Sequence, residues 1–205
     1  MTTEHNAPAV PAFVHLRVHS EFSIVDGIVT VDAAVKAAAK DGMPALALSD
    51  LSNVFGLVKF YKAARGKGVK PIAATDVFVT NDAERDKPYR LLLLVRNREG
   101  YGTLCRLLTR AYLENKYRGR AEIRREWLEA DDTGATGLIA LSGAMQGDVG
   151  LALLSGNMDA ARKLAADWLR LFGGDYCIEL QRAGHPNTEA YVASACTLAS
   201  ELDIA

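Results

Sequence analysis

The sequence has 205 residues, of which 49% are hydrophobic and 24% charged, and its formal net charge is −1. This composition is typical of a globular domain, and the near-neutral charge argues against a generally cationic, nucleic-acid-binding surface. The three cysteines are widely spaced and odd in number, which argues against a disulfide framework or a CxxC zinc site. No apolar run is long enough to span a membrane, so we expect a cytoplasmic protein without a membrane partner.

The first twelve residues, MTTEHNAPAVPA, differ in character from the rest of the chain. They lack the apolar centre of a signal peptide. We therefore predict a flexible lead-in over residues 1–12 and one domain over residues 13–205.

From residue 13 onward, strand and helix patterns alternate. The predicted strands are short and apolar or alternating, and they cover residues 15–19, 44–50, 70–79, 89–95, 137–143 and 175–181. The stretches between them read as helices, the first starting near Thr30 and the longest near Asn97. Repeated strand–helix units predict an α/β domain with parallel strands inside and helices outside.

Polar residues stand at or just after the C-terminal end of each predicted strand. Closed β/α barrels collect their site at that end, so this placement favours a barrel, with an open doubly wound sheet as the alternative. The chain ends in ELDIA, which reads as a helix stop followed by the start of another strand. We therefore expect a barrel that is cut before its last strand, as in a piece of a longer protein.

The stretch FVHLRVHSEFSIVDG resembles the beginning of a metal site. His15, Arg17 and His19 alternate with apolar residues, so on a strand they share one face, and Asp26 follows in a loop. Histidines and a carboxylate suit a divalent cation. Arginine cannot act as a ligand, which makes Arg17 the residue that requires an explanation.

Five segments, in order, resemble one known family. They are HLRVHSEFSIVDG, MPALALSDLSNVFG, GVKPIAATDVFV, NREGYGTLCRLLTRAY and GLIALSGAMQGDVG. Together they resemble the PHP (polymerase and histidinol phosphatase) domain, in the form found at the N-terminus of the alpha subunit of bacterial DNA polymerase III. The resemblance implies a distorted TIM-like β/α barrel over residues 13–205.

Active PHP domains hold divalent metals at the C-terminal ends of the barrel strands and hydrolyse phosphoesters. The resemblance implies that two ligand positions are kept, as His19 and Asp26, and that a glutamate is shortened to Asp76. The Asp-His pair of the family reads Asp50-Leu51 here. The four positions that can no longer bind a metal are Arg17, Leu51, Arg90 and Ala144.

These substitutions suggest how the pocket changed. Asp26, Asp50 and Asp76 should converge at one barrel mouth, where they would repel one another without a metal. A guanidinium is permanently charged and binds carboxylates through two hydrogen bonds. We predict that Arg17 and Arg90 replace the metal charge, leaving no metal and no catalytic residue; the alternative is unconnected surface charges.

The resemblance also implies partners and leaves alternatives open. A non-catalytic domain would stabilise the polymerase chain and dock the proofreading exonuclease (epsilon) subunit, and DNA and Mg²⁺ would be bound by the parent polymerase. The second reading is an active metal-dependent phosphoesterase or 3′–5′ exonuclease. The third is an unrelated small-molecule barrel enzyme, for which no coherent acid–base or nucleophile set is found.

Two basic stretches remain. KYRGRAEIRREW (116–127) could contact a nucleic-acid backbone, but its glutamates favour a solvated loop that leads into a helix, with Trp127 packing inward. GKGVK (66–70) lacks the spacing of a phosphate-binding loop and follows a helix, so we interpret it as a helix stop.

Overall fold

The computed structural model describes residues 13–129 and 134–205; the predicted lead-in lies outside these residues. Seven strands of this part form one sheet. They are Ala45–Leu48 (β1), Lys70–Val79 (β2), Tyr89–Val95 (β3), Lys116–Tyr117 (β4), Arg120–Ile123 (β5), Leu138–Leu141 (β6) and Tyr176–Cys177 (β7).

The helices of the described part pack outside this sheet. They are Val31–Lys40 (α1), Leu57–Gly66 (α2), Arg98–Glu114 (α3), Glu126–Glu129 (α4), Asp148–Leu154 (α5), Met158–Phe172 (α6) and Thr188–Leu202 (α7). Side chains cap several N-termini: Thr30 accepts from Ala33 N–H and Asn97 from Gly100 N–H, as the sequence predicted for both starts. None of these helices combines the length and apolar character needed to cross a membrane.

The strand directions agree with the prediction except at β3 and at β4, a two-residue strand that pairs antiparallel with β5 in a hairpin. β1 and β2 are parallel, as are β2 and β5, and β6 and β7. β3 is antiparallel to both β2 and β6, so the expectation of an all-parallel sheet is wrong at this strand. The physical reason is the short connection between β2 and β3: antiparallel neighbours need only a turn, whereas a parallel pair needs a crossover helix.

The first predicted strand, residues 15–19, is extended but not a regular strand. It lies along β1, where His15 and Val18 carbonyls accept from Ala47 N–H (3.0 Å) and Ser49 N–H (2.9 Å). Val18 N–H donates to the Ser49 hydroxyl at 2.8 Å instead of to a backbone carbonyl. The Ser49 hydroxyl therefore replaces one backbone acceptor and interrupts the hydrogen-bond ladder. Alternation of side chains predicted where the extended segment lies, but it could not predict this interruption.

The sheet separates an inner apolar layer from two outer clusters, one of which packs α1 and α2 against β1 and includes Leu46 and Phe60. The other, the outer core, lies between the strands and α3 to α7 and includes Leu91, Leu93 and Trp168. An inner layer of smaller extent lies on the opposite face of the strands and includes Leu92 and Leu94. Because side chains alternate along β3, its odd-numbered leucines pack under helices while its even-numbered residues face the interior.

The basic stretch after α3 is a hairpin of β4 and β5 rather than a loop. Its arginines are paired with carboxylates: Arg118 with Asp86 (2.6 Å) and Arg125 with Asp148 (2.5 Å). Trp127 is buried, as predicted. The predicted solvated loop is therefore wrong, and the paired arginines favour a structural role for this stretch over contact with a nucleic-acid backbone.

Candidate functional site

A cavity of about 300 Å³ lies on the inner face of the sheet, beside the side chains of Asp76 in β2 and Arg90 in β3. Five of the eight predicted pocket residues line it: Arg17, His19, Asp26, Asp76 and Arg90. They come from the first extended segment, the loop that follows it, β2 and β3. Residues distant in sequence therefore meet at one site.

Asp76 is the centre of this cluster and is completely buried. Arg90 donates two hydrogen bonds to it, from Nε to Oδ1 at 3.2 Å and from Nη2 to Oδ2 at 2.6 Å. Arg17 donates from Nη1 to Oδ2 of the same carboxylate. His19 Nε2 lies 3.2 Å from Oδ2, although not in hydrogen-bond geometry. Three cationic or ionisable groups thus surround one buried carboxylate.

Strand register explains why Asp76 and Arg90 meet. In the antiparallel pair of β2 and β3, Asp76 lies opposite Leu92, and Phe78 lies opposite Arg90. Arg90 is therefore the diagonal neighbour of Asp76 on the same face, within reach of a long side chain. The guanidinium also lies 4.9 Å from the Phe78 ring centroid, which supports it from the side.

Glu179 is a site residue that the sequence prediction missed. It follows β7, is buried, and accepts two hydrogen bonds from Arg17, at 2.6 Å from Nε and 2.7 Å from Nη2. Gln181 Nε2 also donates to it at 2.7 Å. A signal was available: Glu179 is two residues beyond Cys177, which packs on the inner layer, so alternation places it on the inner face.

His19 links the cluster to the loop that carries Asp26. Its Nδ1 lies 2.9 Å from Asp26 Oδ1, and Arg90 Nη2 lies 3.9 Å from Asp26 Oδ2. Asp26 is the more exposed carboxylate, with 40% of its side chain accessible. His19 therefore stands between a buried carboxylate and a partly solvated one.

The charges of the cluster support one another. Burial alone would raise the pKa of Asp76, but contacts with His19, Arg90 and Arg17 outweigh it and lower the pKa. Burial alone would lower the pKa of His19, but the carboxylates of Asp76 and Asp26 outweigh it and raise the pKa. Burial would likewise lower the pKa of Arg17, yet Glu179 and Asp76 raise it. The arrangement stabilises ionised carboxylates without any added cation.

The other three predicted pocket residues do not line the cavity. The buried Asp50 carboxylate instead accepts from Ser20 N–H (2.6 Å) and from the hydroxyls of Ser20 and Ser23 (2.9 Å each). Leu51 is buried beside the backbone of β2, and Ala144 is part of the outer core. The expectation that Asp50 converges with the other carboxylates is corrected: it anchors the loop after the first segment.

The side chains present do not fit a metal centre. Both oxygens of Asp76 are already hydrogen-bonded to guanidinium groups, which cannot share a site with a cation. Among residues 13–129 and 134–205, no group of three or more His, Cys, Asp or Glu side chains has an arrangement that could hold a metal ion. Chemically, the cavity offers guanidinium and imidazole donors rather than open ligands.

Comparison with known proteins places this geometry in context. A family model described as the PHP domain matches residues 15–183. DNA polymerase III subunit alpha is similar at 47% identity in Neisseria meningitidis serogroup A (95% of this chain, 17% of the relative) and at 43% in Escherichia coli K12 (92% and 16%). The chain thus spans about a sixth of the length of these relatives.

A solved structure shows the same fold. It is that of a proposed metal-dependent phosphoesterase from Bifidobacterium adolescentis, with a TM-score of 0.57 and 15% identity, covering 95% of this chain and 85% of that one. The identity is too low to carry function. Together with the family match, it confirms the predicted fold class, a PHP-type distorted TIM-like β/α barrel.

Proposed function

Because the chain belongs to the PHP domain family, we propose that it is a metal-free, non-catalytic PHP domain within a bacterial DNA polymerase III alpha subunit. The observation that carries this proposal is the pairing of Arg17 and Arg90 with the buried Asp76. By the family resemblance, Arg17 and Arg90 stand at positions where active PHP domains have metal ligands, and the carboxylate they neutralise would otherwise require a cation.

The proposed parent activity is template-directed DNA synthesis. Relatives at 40–47% identity are DNA polymerase III alpha subunits, and this chain corresponds to about a sixth of their length. We therefore assign nucleotidyl transfer, and the Mg²⁺ it uses, to the remainder of the parent chain. Within it, this domain acts as a scaffold that stabilises the polymerase and docks the proofreading exonuclease subunit.

A nuclease assay tests the loss of catalysis. When the full protein is incubated with Mn²⁺ and a DNA primer, the rate of nucleotide release from the primer end should not depend on substitutions in the cavity. His19→Ala and the matched control His185→Ala, an exposed residue at the rim of the same cavity, should give the same background rate. Release that His19→Ala abolishes and His185→Ala leaves intact would support the phosphoesterase or exonuclease reading instead.

A binding assay tests the docking role. The parent protein with residues 1–205 deleted should lose affinity for the exonuclease subunit and should denature at a lower temperature than the full-length protein. Unchanged affinity of the deletion variant would contradict the proposed docking, independently of the metal question.

A further inference from the structure

A second charged feature lies at the opposite end of the sheet from the cavity. Between residues 36 and 70 the chain carries seven basic residues but only two acidic ones, Asp41 and the buried Asp50. Over the whole chain the numbers are nearly equal, 24 basic and 25 acidic. Positive charge is therefore concentrated in this segment. One of the seven, Lys59, forms an ion pair with Glu21 at 3.0 Å.

The other six form what we call the basic end patch. All are exposed: Lys36, Lys40, Lys62, Arg65, Lys67 and Lys70. None of them forms an ion pair with another described residue, whereas most arginines elsewhere in residues 13–129 and 134–205 do. The six side chains of the patch therefore have no carboxylate partner among the residues that the structure describes.

The fold brings these residues together. α1 and α2 each run into a neighbouring parallel strand, and the two strands begin in register, with Ala45 opposite Lys70. Lys70 N–H donates to the Pro44 carbonyl at 2.9 Å, so the two connecting turns touch. Lys40 and Arg65 lie in the last turns of these helices. Asp76 is six residues farther along β2, about 20 Å from the patch at the usual strand rise.

The turns of the patch are not covered by other parts of the fold. Gly42 and Gly68 have φ values of +68° and +73°, and a Cβ atom added at either would meet nothing within 4 Å. Their N–H groups donate to the Ala39 and Arg65 carbonyls, so the basic side chains, not the backbone, would contact an anion. Helix C-terminal charge explains part of the composition, since Lys40 and Arg65 complement the dipoles of α1 and α2. It does not explain Lys70, which lies beyond the helix and begins β2.

We propose that the basic end patch binds the phosphodiester backbone of DNA without reading its sequence. Five of its six members are lysines, which act as point charges toward phosphate. Lysine is depleted and arginine enriched at protein–protein interfaces, so the composition favours a nucleic-acid backbone over an acidic protein. The choice of DNA rests on the proposed function as part of a DNA polymerase; the patch itself is independent of the cavity.

The test compares two triple variants of the full protein with equal loss of charge. The patch variant is Lys62→Gln, Lys67→Gln and Lys70→Gln. The control is Arg98→Gln, Lys116→Gln and Lys163→Gln, three exposed residues without an ion pair to any described residue, on separate elements. Binding to a short DNA duplex is measured by fluorescence anisotropy over a range of salt concentrations, with a chelator present so that metal in the cavity plays no part.

The patch variant should bind the duplex about tenfold or more weakly at low salt, and the slope of log affinity against log salt should fall by roughly 2 to 3. The control should keep the wild-type slope. Equal behaviour of the two variants would overturn the proposal, as would loss of binding to polyglutamate with unchanged binding to DNA. Because these readings exclude metal, a positive result stands even if the nuclease assay contradicts the proposed loss of catalysis.

Discussion

Arg17 holds Glu179 through two hydrogen bonds, of 2.6 and 2.7 Å, across 162 residues of sequence. The same guanidinium donates to Asp76. It therefore connects the first extended segment of the barrel both to β2 and to the segment after β7. A metal ion would bind several strands together in this way, and here one side chain does so with a fixed charge.

The first prediction concerns this connection. Glu179→Gln leaves Arg17 with a single carboxylate, so the protein should lose about 3 kcal/mol of unfolding free energy, as expected when one partner of a buried pair is removed. Urea denaturation measures the loss. The control Glu114→Gln removes an exposed partner of Arg110 and should change stability by no more than about 0.5 kcal/mol. Equal effects would show that the Arg17–Glu179 pair is energetically unimportant.

The second prediction concerns Asp76. Asp76→Asn leaves Arg17, Arg90 and His19 around a neutral side chain, so mutual repulsion adds to the lost attraction. We expect a destabilisation of about 3–5 kcal/mol, larger than that of any other single carboxylate in the cavity. Asp26→Asn is the comparison, because Asp26 is partly solvated and contacts the same histidine. A smaller effect at Asp76 than at Asp26 would contradict the central position of Asp76.

The third prediction is a pH dependence. The folded-state pKa of His19 is raised above 6.5, so its contribution to stability is complete below about pH 6.5 and is lost as pH rises through the folded value. The stability difference between wild type and His19→Gln should therefore be larger at pH 6 than at pH 9. His15→Gln, a histidine outside the cavity, is the control. A difference that grows toward alkaline pH would have the wrong sign.

Asp76 should produce the opposite trend at acidic pH. Its folded pKa is lowered below 3.8, so its contribution is present above that ordinary value and disappears as pH falls through the folded pKa. In acid titrations followed by circular dichroism, wild type should lose stability in this range, relative to Asp76→Asn. Parallel acid titration curves for the two proteins would contradict the pKa shift.

The fourth prediction concerns Asp50, which anchors the loop that carries Asp26. Asp50→Ala removes the acceptor for Ser20 N–H and for two serine hydroxyls, so amide hydrogen exchange should accelerate over residues 20–29. Asp50→Asn keeps one acceptor oxygen and should show a smaller increase. If the two variants exchange alike, the carboxylate oxygens do not hold the loop.

The sequence predicted most residues of the cavity, but it did not predict which nearby residues lie outside the cavity or which further residue contacts it. Sequence reasoning placed Arg17 and His19 on one face, because side-chain direction in an extended chain follows from residue parity, and it added Asp76 from the family resemblance. It could not separate Asp50 from the cavity, since that depends on how the serines of the next loop turn back toward it. Alternation from Cys177 places Glu179 on the inner face, but its pairing with Arg17 depends on a contact between segments that are 162 residues apart in sequence.

The direction of β3 shows the same limit. Its apolar pattern predicted a buried strand at residues 89–95, and the strand is there. Apolar runs carry no information about direction, and the connection of nine residues between β2 and β3 was too short for the helix that a parallel neighbour requires.

The most direct test is elemental analysis of the purified protein after incubation with Zn²⁺ or Mn²⁺ and removal of unbound ions, on wild type and on Arg17→His. Both should carry only substoichiometric metal, because Leu51, Arg90 and Ala144 still provide no ligand in the single variant. Stoichiometric metal in the wild-type protein that disappears in His19→Ala would contradict the replacement of metal by arginine.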